Sequence, residues 1–405
     1  MSLKSLLTAS VVFAASSVQA ESPFPKFSAR EIDPHVGNVC YAVTLADVNG
    51  DAKPDIVAVT ENAIVWFENP SWKKRLIIEN QTEKDNVCIA PQDIDGDGQI
   101  DFALGAAWRP SDTQAGGTIQ WLRRGKSLDE KWTVHPISSE PTTHRMRWGD
   151  VLGTGRPQLV VSPLQGRGTK GPNWGDGNGL RLLAFSIPRD PVKDPWPAEV
   201  IDDTLHCMHN HWICDFHAAG RLGVLTGSWE GVHFFDRRDG KWAKQQLGSG
   251  NHESTPFKGS SEIKPGLIKG KTGYFATIEP WHGHQVVVYA PPRAGEKLWS
   301  RTVLDDTLKW GHAVWTADLD ADGTDELIIG QRDSGPGPIT GPGVLVYRAT
   351  DAMLTKWDKI VIDDGGVAVE DLVAGDLNGD GRIDIVAGGR ATHNVKIYEN
   401  LGPSR

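Results

Sequence analysis

Short runs of β-branched and aromatic residues recur along the whole chain, and each run is soon interrupted by Gly, Asp or Pro. Runs of this kind predict β-strands separated by tight turns. Sustained helical periodicity is hard to find, and no stretch reaches the eighteen or more apolar residues of a membrane-spanning helix. The pattern therefore predicts an all-β protein.

One motif repeats: an Asp-rich turn followed at once by an apolar strand. Six clear copies and one degenerate copy occur, about 55 residues apart. They are DVNGDAKPDIVAV, DIDGDGQIDFALG, DVLGTGRPQLVVS, DFHAAGRLGVLTG, the degenerate LIKGKTGYFATI, DLDADGTDELIIG and DLNGDGRIDIVAG. A period near 50 residues with four strands per unit is typical of a β-propeller. We expect seven blades.

The two ends of the chain supply complementary parts of one blade. An extra strand precedes the first repeat at residues 27–33, and the chain ends on a third strand at residues 394–400. Pairing the two would close the ring and leave no exposed strand edge. The sequence therefore predicts a single seven-bladed domain over residues 21–405, with the N-terminal strand completing the last blade.

The turns resemble the FG-GAP or VCBS-type propeller repeat, in which alternating acidic and amide side chains surround a hard cation. The resemblance implies up to four structural Ca²⁺ sites joining the first and second strands of a blade. An Asx-Gly turn without metal is the alternative. The implied ligands are Asp47, Asn49, Asp51 and Asp55; Asp93, Asp95, Asp97 and Asp101; Asp318, Asp320 and Asp322 with Glu326 or Asp325; and Asp376, Asn378, Asp380 and Asp384.

The opposite face of the propeller carries a different set of residues. In each repeat, the residue six positions before the turn Asp begins the innermost strand, and we expect these residues to surround one channel. They are Tyr41, Val87, His144, His209, His312 and Glu370, with Ser261 or Glu262 in the degenerate blade. Neutral imidazoles with carboxylates predict either a site for Zn²⁺ or another divalent transition metal, or a metal-free acid/base set.

Other candidates extend this cluster of strand starts. His211 follows His209 on the same side of its strand, and Arg145, Arg147 and Lys264 lie on the same strand starts. His282 and His284 belong to the loop EPWHGHQ, which we expect to overhang the channel mouth. A histidine at a strand start is usually only hydrogen-bonded, but three at one level favour a functional cluster.

Tryptophans occur in loops predicted to lie on the same face: Trp108, Trp174, Trp229 and Trp281. Exposed indoles beside His, Arg and acidic residues are typical of a carbohydrate site. Packing within the loops is an equally good interpretation of any one of them.

The segments HESTPFKGSSEIKPG, ATIEPWHGHQVVVY and KWGHAVWTADLDADG resemble the propeller part of the aldos-2-ulose dehydratase family. The resemblance implies a carbohydrate lyase that performs metal-assisted β-elimination on a keto-sugar. His209, His211 and His312 would be metal ligands, and His144, His282, His284, Glu262, Arg145 and Lys264 the catalytic candidates. The alternatives are a polysaccharide lyase acting on uronate-containing glycans and a non-catalytic glycan- or protein-binding propeller.

The N-terminus and the charge bear on location and partners. Lys4, a short apolar run and the small-residue sequence VQA predict a signal peptide over residues 1–20, and hence a periplasmic or extracellular protein. A net charge of −10 without a basic run argues against nucleic acid and anionic membranes as partners. Four cysteines leave open a bridge between Cys40 and Cys88, a pair of Cys207 with Cys214, or free thiols.

Overall fold

The computed structural model describes residues 23–334 and 341–403. These residues contain 28 β-strands and no helix, so none of them forms a helix that could cross a bilayer. The strands form seven four-stranded antiparallel sheets, which confirms the predicted all-β seven-bladed propeller. The predicted signal peptide lies outside the described residues.

The first three blades follow the chain in order. Blade 1 consists of β2 (Cys40–Ala46), β3 (Asp55–Thr60), β4 (Ala63–Glu68) and β5 (Lys73–Glu79). Blade 2 consists of β6 (Cys88–Gln92), β7 (Asp101–Ala106), β8 (Thr118–Arg123) and β9 (Thr133–Ser139). Blade 3 consists of β10 (Thr143–Gly149), β11 (Gln158–Pro163), β12 (Leu182–Ser186) and β13 (Ala198–Asp202).

The next three blades repeat this order. Blade 4 consists of β14 (Asn210–Cys214), β15 (Gly223–Ser228), β16 (Gly231–Arg238) and β17 (Lys241–Gly248). Blade 5 consists of β18 (Ile263–Ile268), β19 (Lys271–Glu279), β20 (Gln285–Ala290) and β21 (Ser300–Asp305). Blade 6 consists of β22 (Gly311–Ala317), β23 (Glu326–Gln331), β24 (Gly343–Ala349) and β25 (Trp357–Asp364).

Blade 7 is built from both ends of the chain. It consists of β26 (Val369–Gly375), β27 (Asp384–Gly389), β28 (Val395–Asn400) and, on its outer edge, β1 (Phe27–Asp33). Phe27 pairs with Asn400 and Asp33 with Val395, which confirms the predicted closure. The innermost strands β2 and β26 pack against each other, so the ring is continuous around a central channel.

Burial across each blade explains the strand pattern read from the sequence. The second strands β3, β7, β11, β15, β23 and β27 are buried at every position. Each lies inside its sheet and is covered by neighbouring blades, so apolar residues occupy both of its faces. The outermost strands, such as β5 and β9, keep exposed polar positions. The hydrophobic core therefore lies between blades. The channel is lined by the inner strands and their ends.

The cysteines form no disulfide. Cys40, Cys88 and Cys207 are buried thiols, and Cys214 is half-buried. Burial raises the pKa of the Cys88 thiol to about 12, so this thiol stays protonated. Of the three possibilities left open by the sequence, free thiols is the one observed.

Candidate functional site

Three of the predicted strand-start histidines meet at one mouth of the channel. His144 lies on β10 and His312 on β22, and His209 immediately precedes β14. The ring centroid of His209 is 4.5 Å from that of His144 and 4.8 Å from that of His312. Each inner strand delivers its first residues to the same level because the blades are equivalent, so residues far apart in sequence converge here.

The loop after β19 adds a fourth ring. His282 adopts a left-handed backbone conformation (φ 53°), and its ring centroid is 4.3 Å from that of His209 and 5.0 Å from that of His312. Trp281 stacks on the His282 ring at 4.2 Å. His284 is exposed, and its ring makes no contact with the other imidazoles. Of the two histidines predicted to overhang the mouth, only His282 does so.

His209, His282 and His312 form a group with metal-ligand geometry. One ring nitrogen of each lies within 4.8 Å of the others. A tetrahedral Zn²⁺ with bonds of about 2.0–2.1 Å holds its ligand nitrogens roughly 3.4 Å apart, so only small side-chain shifts would bring the three onto one ion. We call these residues the histidine triad.

Hydrogen bonds orient two triad rings so that the nitrogens facing the mouth stay available. Nδ1 of His209 lies 2.5 Å from a carboxylate oxygen of Glu262. Nδ1 of His312 donates to the backbone carbonyl of Glu370 at 2.6 Å. Nε2 of His209 and of His282 are buried without a hydrogen-bond partner among the described residues. Anchoring one ring nitrogen and leaving the other as a lone pair is how proteins prepare histidine for a metal.

Burial keeps the imidazoles neutral. It holds the pKa of His144, His282 and His312 well below 6.5, and the positive charge of Arg145 lowers all three further. Burial also lowers the pKa of His209, although Glu262 opposes this. Neutral rings offer lone pairs at physiological pH, so a cation would not have to displace protons from them.

Glu262 is the ionised partner below the triad. Burial would raise the pKa of this carboxyl, but His209 and Arg145 outweigh burial and lower the pKa to about 2. The second carboxylate oxygen accepts a hydrogen bond from Asn210 at 2.5 Å, and the Arg145 guanidinium is 4.0 Å away. Glu262 thus positions His209, and it does not itself join the group with metal-ligand geometry.

Three predicted site residues lie away from the triad. His211 is buried one step deeper, with Nδ1 2.9 Å from the Ser162 hydroxyl, and is not part of the triad. The Lys264 ammonium lies 3.9 Å from the ring centroid of Trp212 and 4.7 Å from that of Trp315. Arg145 donates to the His144 carbonyl and faces Glu262. These residues lie on strands that run away from the mouth. Counting along the sequence did not predict how far from the mouth each side chain would lie.

The four loop tryptophans gather beside the triad. Trp229 and Trp281 belong to one buried cluster, against which Trp108 and Trp174 pack. Trp108 also stacks on His144, with centroids 5.5 Å apart. Trp229 and Trp281 are only 3% and 6% exposed, which leaves the half-buried Trp108 and Trp174 as the indoles with free surface.

Sequence reasoning missed four residues at this mouth. Trp310 contacts the His282 ring at 5.3 Å, and Arg332 stacks over Trp310. Arg390 and Arg332 both face Glu370, at 2.6 Å and 3.6 Å. Asp85 interacts with the Tyr41 hydroxyl. A signal existed for the two arginines: Arg332 follows β23 directly and Arg390 follows β27, and residues that follow a second strand reach the same face as those that begin an inner strand.

The acidic turns lie at the other end of the inner strands. Oxygens of Asp93, Asp95 and Asp101 lie within 4.8 Å of one another, as do those of Asp318, Asp320 and Glu326. In each of the four acidic turns the first Asp accepts backbone N–H bonds from the turn, as Asp93 does from Gly96, Asp97 and Gly98. These carboxylates could hold a hard cation.

The last acid of each turn is held in the same way. Asp55, Asp101, Glu326 and Asp384 each accept the backbone N–H of the residue after the first Asp. This equivalence identifies Glu326 as the closing acid of its turn. Asp325 instead accepts a hydrogen bond from Leu267 in blade 5. At Ala52, which replaces the motif glycine, the backbone still adopts a positive φ of 66°.

Comparison with known proteins agrees with the resemblance seen in the sequence. The family described as "Aldos-2-ulose dehydratase, beta-propeller domain" matches residues 116–291, and an FG-GAP-like repeat matches residues 47–104. The chain is a seven-bladed propeller that contains an FG-GAP-like repeat and is similar to the propeller of aldos-2-ulose dehydratase. The first match covers β8 to β20 and includes His144, His209 and His282.

A curated relative and a solved structure extend the comparison. The chain is 27% identical over 267 residues to aldos-2-ulose dehydratase of Phanerodontia chrysosporium, which is 60% of this chain and 29% of the dehydratase. The alignment thus spans less than a third of that enzyme. The solved structure of BBS1N in complex with ARL6DN covers 94% of this chain with a TM-score of 0.51 and 13% identity, a likeness of fold alone.

Proposed function

We propose that this protein is a carbohydrate lyase that eliminates water or an alcohol from a keto-sugar at the mouth of the propeller channel. The observation that carries the proposal is the histidine triad, with its neutral rings, the oriented rings of His209 and His312, and the unpartnered Nε2 atoms of His209 and His282. The similarity to a dehydratase of aldos-2-uloses supports the same class of substrate.

In this proposal the triad holds a divalent transition metal such as Zn²⁺. When bound, the ion would polarise the sugar carbonyl and so acidify the neighbouring C–H bond. Glu262 and the Glu370 carbonyl fix the rings of His209 and His312 from behind. His282 completes the group from above, and the stacked Trp281 ring fixes its orientation.

His144 is the proposed general base. Both of its ring nitrogens are buried without a hydrogen-bond partner in the described part of the chain, and the ring lies against His209. Its pKa is held low by burial and by Arg145, so the imidazole is unprotonated and can accept the proton from the acidified carbon. Tyr41, beside Asp85 and packed edge-on to Trp108, is the nearby hydroxyl that could donate a proton to the departing oxygen.

The two rival functions are less well supported. A uronate lyase needs cations at the mouth, but Arg145 and Lys264 lie below it, and the arginines that do reach the mouth are engaged by Glu370. A simple glycan-binding propeller would use exposed indoles, and two of the four are almost fully buried. Neither rival explains the oriented imidazoles.

We further propose that the protein is exported and that its acidic turns bind Ca²⁺. Export rests on the signal-like sequence at residues 1–20. Calcium binding rests on the clustered carboxylates of the turns. A bound ion would connect the first two strands of a blade. In the proposal these ions are structural and take no part in the chemistry at the mouth.

The test is elemental analysis of the purified protein followed by an ultraviolet assay. Elimination next to a carbonyl creates a conjugated product, so absorbance should grow at roughly 230–265 nm when keto-sugars are added. Uronate polymers form the second arm. A preparation with about one transition-metal ion per chain and activity on keto-sugars supports the proposal. Activity on uronans alone, or no activity with the metal fully loaded, contradicts it.

A further inference from the structure

A separate cavity lies inside the channel, on the side of the histidine triad that faces the acidic turns. Its volume is about 280 Å³, and blades 1, 2, 3, 4, 6 and 7 contribute to its wall. The side chains that matter for the argument are Arg145, Arg147, Asp371, Trp212 and Trp315. Trp212 and Trp315 follow His209 and His312 by three residues, so the cavity lies roughly 10 Å below the triad.

Arg147 is a half-buried cation whose hydrogen-bonding capacity is only partly used. One terminal nitrogen donates to the Asn210 side chain at 3.1 Å and the other to the Met146 carbonyl at 3.4 Å, and the guanidinium lies 4.7 Å from the ring centroid of Trp212. Its Nε is buried and has no partner among the described residues. No carboxylate of the described residues lies within 4 Å of Arg147 or of Lys264. The Lys264 ammonium lies against the rings of Trp212 and Trp315.

The carboxylates near the cavity are engaged elsewhere. Glu262 is bound by His209 and Asn210. Asp371 accepts the backbone N–H of Val43 at 3.1 Å. Three cations, Arg145, Arg147 and Lys264, therefore face only two carboxylates, each of which also accepts other hydrogen bonds. A buried charge without a partner is costly, so the region has an unmet need for negative charge.

We propose that the channel cavity binds a small oxyanion, either a carboxylate or a phosphate, with Arg147 as its principal partner. The planar guanidinium suits two parallel hydrogen bonds to such a group. Arg145 and Lys264 add positive potential, and the indoles of Trp212 and Trp315 wall the site. The volume suits a small organic acid or inorganic phosphate, and lies just below the roughly 300–1,000 Å³ of pockets for drug-sized ligands.

The site uses neither the triad nor His144, although Arg145 lies beside both sites. Arg147, Trp148, Trp212 and Trp315 are all partly exposed on the turn side of the channel, so an anion reaches them without passing the triad. Burial, as the main cause, lowers the pKa of Arg147 to about 10 and that of Lys264 well below its usual value, although the negative charges of Asp371 and Glu262 oppose both shifts.

Isothermal titration calorimetry of the full chain tests the proposal, with glycolate and inorganic phosphate as separate ligands at constant ionic strength. We expect saturable binding of one ligand per chain, and the ligand that binds identifies the class of oxyanion. Arg147→Met should weaken binding at least tenfold. The matched control is Arg156→Met, which removes an exposed arginine from the turn of the same blade. Absence of binding by both ligands, or equal binding by Arg147→Met, overturns the proposal.

A thermal measurement covers the case in which Arg147→Met does not fold. The anion that binds should raise the Tm of the wild type by about 2 °C or more at a hundred times its Kd, because it binds only the folded state. Lys264→Met should show less than half of that rise. A rise of the same size in Lys264→Met and wild type would mean that the anion acts elsewhere, and would refute the site.

Discussion

The two ends of the inner strands carry opposite chemistry. At one end the side chains are buried neutral imidazoles drawn from blades 3, 4, 5 and 6. At the other end they are carboxylates in turns, each set contained within nine consecutive residues such as Asp93–Asp101. The turns are therefore local and repeated, whereas the triad is assembled once by closure of the ring.

This difference predicts different responses to damage. A local turn can fail without affecting the other turns, because each has its own ligands. The triad depends on three blades at once, so loss of one ring removes the whole group. The following substitutions test that contrast, beginning with the largest expected effect.

His209→Ala should reduce turnover of a keto-sugar to background and remove the transition metal. His209 is the central ring, in contact with His144, His282 and His312. Activity, metal content and circular dichroism are the measurements, and the β-sheet signal should persist because the channel mouth lies outside the core between blades. His252→Ala, in an exposed loop, is the control. Full metal content in His209→Ala would contradict the triad.

His144→Gln should lower turnover by about 10²- to 10⁴-fold, the usual contribution of a general base, while metal content stays near that of the wild type. The reason is that His144 contacts His209 but is not one of the three residues with ligand geometry. Parallel assays of kcat and bound metal separate the roles. If metal is lost together with activity, His144 is a ligand and the base is another group.

Glu262→Gln should weaken metal binding by about 10- to 100-fold, as is usual when an outer partner of a ligand is changed. The amide keeps the size of the side chain but removes the charge that orients Nδ1 of His209. Competition with a chromogenic chelator measures the affinity. Glu230→Gln is a useful control, because Glu230 makes the same kind of contact with His206, which is not a triad residue.

The sequence predicted the repeated part of the molecule better than the part that occurs once. The seven turns, the closure of β1 on β28 and the level of His144, His209 and His312 followed from counting along a period. The positions of His211, Lys264 and His284 did not, because they depend on depth along a strand and on the path of one loop. Trp229 and Trp281 illustrate the same limit: the sequence places an indole on a face but does not show whether its neighbours cover it.

The smallest expected effect concerns the turns and depends on pH. Burial raises the pKa of Asp55 and of Asp101 to about 6, and that of Glu326 to about 9. Such a carboxyl has a higher pKa in the folded protein than in the unfolded protein. Its contribution to stability is fully present at a pH below the unfolded-state pKa and is lost as the pH rises through the folded-state pKa. Without calcium, the Tm should therefore fall between pH 5 and pH 8.

Calcium should reverse that trend, because an ion bound to ionised carboxylates removes the cost of their burial and competes with protons. The difference in Tm between calcium and excess chelator should thus be larger at pH 8 than at pH 5. Asp95→Ala and Asp380→Ala should each lose one ion and part of this difference, with activity at the mouth retained. Asp150→Ala, in a turn that has lost most of its acids, should change neither. If the difference in Tm does not depend on pH, the turn carboxyls with raised pKa values do not bind the ion.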